Sequence, residues 1–156
     1  MVSRGMDPII RIQTETFDVG AEVARISQGA GAVATFTGHV RADNGLSALR
    51  LEHYPGMTER EIANRVQEAS QRWQLLDITV IHRIGELKPG DPIVLVAVAA
   101  LHRHDAFAAC EFMMDQVKTT APFWKEEKKG ADTTWVEAKA SDDAAGARWL
   151  SRPRST

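Results

Sequence analysis

Two lysines bracket an apolar run in the stretch MMDQVKTTAPFWKEEKKG, residues 113–130: Lys118 precedes Ala121-Pro122-Phe123-Trp124 and Lys125 follows it directly. On one unbroken helix the two amines would share a face about 10 Å apart. Pro122 forbids that helix, because it has no N–H to donate and drives Ala121 out of the helical region, so the helix is predicted to stop near Thr119. Lys118 then ends a helix, and Lys125 returns on a loop. Aromatic rings and a proline beside an amine exclude water and favour its neutral form, which supplies a base or nucleophile near neutral pH. A plainer reading stands beside this one. A lysine in a last helical turn is favoured by the helix dipole, a lysine within KEEKK is usually solvated, and Phe123 and Trp124 can be core.

A second group of cations occurs at His102-Arg103-His104-Asp105. The run PIVLVAVAAL before it is apolar at every position and reads as a central strand, and Asp105 is placed to cap the helix that follows. The strand thus delivers His102 and Arg103 to a helix N-terminus, where free N–H groups and the positive dipole end favour an anion the size of a phosphate. Arg41 closes another inner strand after Gly38, a residue that within a strand often marks a bulge or a close approach. The structural alternative is a surface ion pair for Arg103 and a satisfied strand-end histidine for His102. His102 and His104 alternate as a metal pair does, but no further Cys, His or carboxylate lies at ligand spacing, and no metal site is expected. Cys110 falls on the apolar face of its helix and is expected to be inert. No Gly-x-Ser-x-Gly or phosphate-loop motif occurs, and GAVATFTG is too irregular for a dinucleotide fingerprint.

Composition narrows the setting. A chain of 156 residues with 44% hydrophobic and 26% charged residues suits one globular domain, 1–156, with polar tails at 1–8 and 151–156 expected to fray. The formal charge of −2 argues against a bulk nucleic-acid binder, so any basic site must be local. The single cysteine excludes an internal disulfide and a cysteine-only metal cage, and it fits a reducing, cytoplasmic setting. The start MVSRGMDPII has no apolar stretch of signal-peptide length, Met6 is a candidate natural start, and no run of residues is long and uncharged enough to span a membrane.

These groups must be positioned by elements whose periodicity is readable. IIRIQTE (9–15) reads as a strand, and DVGAEVARIS (18–27) as a helix capped by Asp18. Residues 31–41 and 48–55 read as a hairpin turned at Asn44-Gly45. After Tyr54-Pro55-Gly56 comes a helix with Thr58 and Glu61 as a capping box, Met57 and Ile62 as a hydrophobic staple, and Ile62, Val66, Ala69 and Trp73 as its apolar stripe. Residues 78–87 and 92–101 flank the turn Lys88-Pro89-Gly90-Asp91 and read as a long hairpin. The next helix carries Phe107, Cys110, Met113, Met114 and Val117 inward, TTWVEAKA (133–140) alternates like a last strand, and 141–150 reads as a short closing helix. The order β-α-β-β-α-β-β-α-β-α predicts an α+β domain, a mostly antiparallel sheet covered by helices.

Five ordered stretches, VATFTGHVR (33–41), LEHYPGM (51–57), VIHRIGEL (80–87), LHRHDAF (101–107) and MDQVKTTAPFWKEE (114–127), resemble the large catalytic subunit of molybdopterin synthase, the MoaE family, over roughly residues 9–150. The resemblance implies an α/β hammerhead-type fold and a homodimer carrying a small ubiquitin-like subunit at each end, a heterotetramer. It implies a sulfurtransferase that converts cyclic pyranopterin monophosphate into molybdopterin by installing two sulfurs as a dithiolene. Each sulfur arrives as a thiocarboxylate on the Gly-Gly terminus of the small subunit, so no cofactor is implied. By the same resemblance Lys118 and Lys125 match the catalytic lysines, Arg41, His102 and Arg103 match residues of the anion pocket, and His39, Val40, Glu126 and Glu127 fall at positions lining the substrate site. The chain departs from the family pattern in its short 42–47 loop, in Glu126 where a basic residue is common, and in Lys139 where arginine is expected. Two other readings compete: a non-catalytic dimeric module that binds a phosphorylated metabolite, and a structural oligomer whose APFWK segment is an interface.

Overall fold

A strand that is apolar at every position needs cover on both faces, and the architecture is built around one. The computed structural model describes residues 6–43, 45–130, 132–136 and 149. Its elements are β1 (Ile9–Gln13), α1 (Val19–Ile26), β2 (Ala32–His39), β3 (Ala48–His53), α2 (Met57–Arg72), β4 (Leu75–Arg83), β5 (Gly85–Leu87), β6 (Pro92–Ala100), α3 (Arg103–Thr119), β7 (Phe123–Lys129) and β8 (Asp132–Val136). They form two four-stranded sheets, ordered β1-β4-β6-β2 and β5-β3-β7-β8. Every pairing is antiparallel except β1 with β4.

In β6, Val94, Val96, Val98 and Ala100 join Ile78 and Val80 of β4 in a core closed by Ile62, Val66 and Ala69 of α2 and by Ala106, Cys110, Phe112, Met113 and Val117 of α3. The alternate residues Leu95, Ala97 and Ala99 turn to the opposite face, where Ile81 and Ile26 of α1 meet them. Helices therefore cover both faces of the first sheet. The second sheet has its own small core of Val40, Leu49, Leu51 and Leu87.

Several expectations hold. Asp18 caps α1 by accepting the Ala21 N–H at 3.0 Å, and α3 stops at Thr119 as Pro122 requires. Gly38 marks a bulge, since the β2–β6 register shifts between Gly38 and His39.

Other expectations are corrected. The hairpin predicted for 31–41 and 48–55 does not form: β2 pairs with β6, and β3 pairs with β5 and β7. A two-residue turn signal is local, whereas pairing β2 with the central strand satisfies that strand's second edge; Asn44 itself lies outside the described residues. The predicted strand 78–87 breaks after Arg83. Gly85 adopts φ +86°, a left-handed conformation open to glycine, and β5 crosses into the other sheet to pair Leu49 with Leu87. The α2 cap uses Glu59, not Glu61: its Oε2 accepts the Gly56 N–H at 2.6 Å, while Met57 stays exposed and Thr58 is buried for another purpose. Phe107 faces solvent at 66% exposure, unlike its predicted companions on α3. The last strand is described only to Val136, so Lys139 and the closing helix at 141–150 fall outside the described residues apart from Trp149, which is buried edge-on against Trp73 and Phe112. Among the described residues no helix is long and apolar enough to cross a membrane.

At the start of β2 a Cβ on Gly31 would stand 2.0 Å from the backbone oxygen of Leu101, at the junction of β6 with α3. No side chain can move aside there, so the backbone must shift. Gly31→Ala is expected to lower stability by about 2–3 kcal/mol, the scale of an overpacked interior. An unchanged urea midpoint would contradict this close approach.

Candidate functional site

The chain passes from α3 to β7 through Thr120–Pro122. The Phe123 N–H donates to the Ala121 carbonyl at 3.0 Å, a γ-turn centred on Pro122, whose fixed φ suits the inverse form. The Pro122 carbonyl points to α2, where the buried Thr58 hydroxyl donates to it at 2.8 Å and accepts the Tyr54 N–H at 3.0 Å. Lys125 thus lies on a strand, not on the predicted loop: β7 runs Phe123–Lys129, paired with β3 on one side and β8 on the other. Strand alternation puts Phe123, Lys125 and Glu127 on the face shared with Leu49, Leu51 and His53, the inward face. Trp124 and Glu126 stand on the other face, so Phe123 and not Trp124 is the aromatic beside Lys125.

Phe123 meets a histidine from the other sheet. The His82 ring lies on it with centroids 3.8 Å apart and planes 19° from parallel. His82 is buried, and its Nδ1 is 2.8 Å from the Arg83 carbonyl, an acceptor, so that nitrogen carries the proton. Burial lowers its pKa from the ordinary 6.5 to about 4; the Arg83 carbonyl works the other way, and Lys118 of α3 and His53 of β3 add to the lowering by their charge. His53 stands opposite Phe123 across the β3–β7 ladder. Its Nε2 lies 3.2 Å from Glu59 Oε1, a close polar contact rather than an aligned hydrogen bond, and its buried Nδ1 has no hydrogen-bond partner. Lys118, exposed in the last turn of α3, and Lys125, partly buried on β7, therefore border one junction of α2, α3, β4 and β7.

The end of β2 reaches the same side of the molecule, because Gly38 and His82 both pair with Val94 from opposite edges of β6. His39 is exposed with its Nε2 3.3 Å from Thr37 Oγ1, and Arg41 makes an exposed ion pair with Asp43 at 3.0 Å, an interaction of little energetic weight. Between them Val40 turns its side chain into the small core and its backbone to Asp91 and Gly90.

His102 and Arg103 do not join them. The helix starts three residues earlier than predicted, with His102 at the N-cap and Asp105 inside the first turn, so Asp105 is not the cap. β6 runs away from the lysine end and α3 runs back toward it. Arg103 and Lys118 are fifteen residues apart on one helix, about 22 Å of axial rise. Within one chain the cations thus divide into a lysine end, with Arg41, His39, Lys118 and Lys125, and a far end, with His102 and Arg103.

Cys110 is buried, and desolvation, then the neighbouring Glu111, push its thiol from 9.0 to about 11, so it is held as the neutral, unreactive thiol. Among the described residues no three His, Cys, Asp or Glu side chains group as a metal site. Sequence reasoning passed over Thr58 as a junction residue, and His53 and His82 altogether. The signal for His82 was present: in VIHRIGEL it occupies the inward position of a period-two pattern that Ile78 and Val80 begin.

The sequence model of the MoaE protein family matches residues 12–120. A protein of Ralstonia nicotianae named molybdopterin synthase catalytic subunit is 55% identical over 148 residues, covering 91% of this chain and 84% of that protein. The solved molybdopterin biosynthesis MoaE protein from Burkholderia ambifaria superposes with a TM-score of 0.82 at 49% identity, covering 94% of this chain and all 100% of that one. Molybdopterin synthase from Staphylococcus aureus superposes with a TM-score of 0.75 at 33% identity over 81% of this chain and 95% of that chain.

The neutral His82 gives the fold a defined acid sensitivity. Its pKa is about 4 in the folded chain and an ordinary 6.5 once unfolded, so between those values the unfolded chain binds the extra proton. The contribution is whole above pH 6.5, declines as the pH falls, and is lost by about pH 4, a total of about 3 kcal/mol. His82→Phe removes the titration and should flatten the fall in stability between pH 7 and 4.5 relative to the unsubstituted chain. Parallel urea-unfolding profiles for the two proteins would contradict it.

Proposed function

The chain belongs to the MoaE family, and from that premise we propose that it is the catalytic subunit of a molybdopterin synthase, a sulfurtransferase that converts cyclic pyranopterin monophosphate into molybdopterin. The observation that carries the reading is the pair of lysines bordering one junction in a chain whose single thiol is buried and protonated. Such a chain can bind, orient and move protons, but it has no sulfur to give. Sulfur must come from a partner, and the name catalytic subunit borne by its relatives goes with a second subunit. That partner is a small ubiquitin-like protein whose C-terminal Gly-Gly carries the thiocarboxylate; a glycine tail enters a narrow site without side-chain clash. No cofactor takes part, and a chain with an unpaired cysteine suits the cytoplasm.

Lys118, at the C-terminal end of α3, holds the anionic substrate and stabilises developing negative charge, while Lys125 transfers protons as sulfur replaces oxygen. Arg41 and His39 bind the substrate from the end of β2, and Glu127 shares the face of Lys125. Val40 contributes its backbone, and Glu126 acts only from the rim of the site. His102 and Arg103 belong to the same site through a second copy of the chain, in a homodimer within a heterotetramer. Among the described residues the outer edge of β2 pairs with no strand, and Phe36 and Phe107 are exposed beside it. Two such edges meeting antiparallel carry the His102 and Arg103 end of one copy toward the lysine end of the other.

Arginine keeps charge but not a labile proton, which separates the two lysine roles. In single-turnover conversion Lys118→Arg should retain part of the rate and Lys125→Arg almost none, while both alanine variants lose about 100-fold or more. Near-normal turnover by folded Lys125→Ala would overturn the catalytic reading in favour of a binding module. A mixture of inactive Arg103→Ala and Lys118→Ala chains, unfolded and reassembled together, should recover about a quarter of full activity, because half the dimers are mixed and each holds one intact site. No recovery would contradict the shared site.

A further inference from the structure

We propose that His82 is a positioning residue for the lysine pair: its ring, lying flat on Phe123, fixes the turn between Lys118 and Lys125 and so sets where the two amines stand. This rests on the reading of those lysines as the catalytic pair. The two reach the site from different layers, Lys118 on a helix packed against the first sheet and Lys125 on a strand of the second. Their relation therefore depends on how the layers are joined at the γ-turn, and Phe123 is the residue that both closes that turn and reaches across.

Three anchors converge there. Thr58 of α2 holds the Pro122 carbonyl at 2.8 Å. His82 of β4 holds the Phe123 ring by a parallel stack at 3.8 Å. The Arg83 carbonyl, 2.8 Å from His82 Nδ1, stops the imidazole from rotating and thereby keeps its plane parallel to Phe123. An aliphatic side chain would fill the same space without orienting the ring. A charged imidazole would also fail, since Lys118 already places positive charge near it; the neutral state it adopts suits a packing role. His82 is buried beneath Phe123 and does not reach the solvent side where substrate binds, so it acts through Phe123.

The test uses the complex with a thiocarboxylated small subunit and compares His82→Leu, Phe123→Leu and His82→Phe. The two leucine variants remove the stack from either side and are expected to lower kcat about tenfold with the KM for the pterin within about twofold, because misplaced groups cost rate more than binding. His82→Phe restores a flat ring and should return kcat to within about threefold of the unsubstituted protein. Acetylation of the Lys118 and Lys125 amines by limiting anhydride, followed by mass spectrometry, reads their placement without turnover. Their relative rates should change in the leucine variants and not in His82→Phe. If one leucine variant does not fold, the other carries the comparison. Unchanged kcat and unchanged labelling in a folded leucine variant would overturn the proposal, as would His82→Phe behaving like His82→Leu. Absence of turnover in the unsubstituted complex would sink the functional reading alone, and the labelling would still decide the role of His82.

Discussion

Where the two sheets meet, one imidazole lies on one phenyl ring. His82 comes from β4, beside the central strand of the first sheet, and Phe123 opens β7 in the second, so their stack at 3.8 Å ties together layers with separate cores. Burying a histidine there costs free energy in acid. At neutral pH the imidazole is uncharged, and the bond to the Arg83 carbonyl and the ring contact hold it there. The position of Lys118 relative to Lys125, and with it the shape of the candidate site, follows from this junction together with the Pro122 turn and the Thr58 clasp.

Proline placement made part of this legible. Pro122 marks the end of α3 correctly, Gly38 marks its bulge, and the all-apolar run of β6 announces a central strand. What stayed hidden was non-local. FWKEEKK reads as solvated charge, yet it forms β7 because its backbone pairs with β3 and β8, and that pairing leaves no apolar alternation to detect. The Asn44-Gly45 signal suggested a hairpin that lost to pairing between β2 and β6. His102 and Arg103 were readable as cations at a helix start, but the direction of α3, which carries them about 22 Å from Lys118, depends on how the helix packs and not on any local pattern.

That separation shapes the proposed chemistry. Of the candidate site residues, one chain offers two lysines, an arginine and a histidine at one end and His102 and Arg103 at the other, while its net charge of −2 supplies no general attraction for an anion. Binding a phosphorylated pterin must then depend on local placement, and the proposed dimer, two copies meeting antiparallel across β2, would concentrate both sets of cations at each site. The buried, protonated Cys110 fits the proposed division of labour, in which this chain would provide geometry and proton transfer and a partner the sulfur.

The most direct measurement follows the sulfur. A small subunit carrying an isotopically labelled thiocarboxylate is mixed with this chain and the cyclic pterin, and the product is weighed, with a Cys110→Ser variant run in parallel. The account predicts a dithiolene holding two labelled sulfurs, formed equally by the variant. Unlabelled sulfur in the product, loss of conversion in folded Cys110→Ser, or no dithiolene from the unsubstituted chain would contradict it.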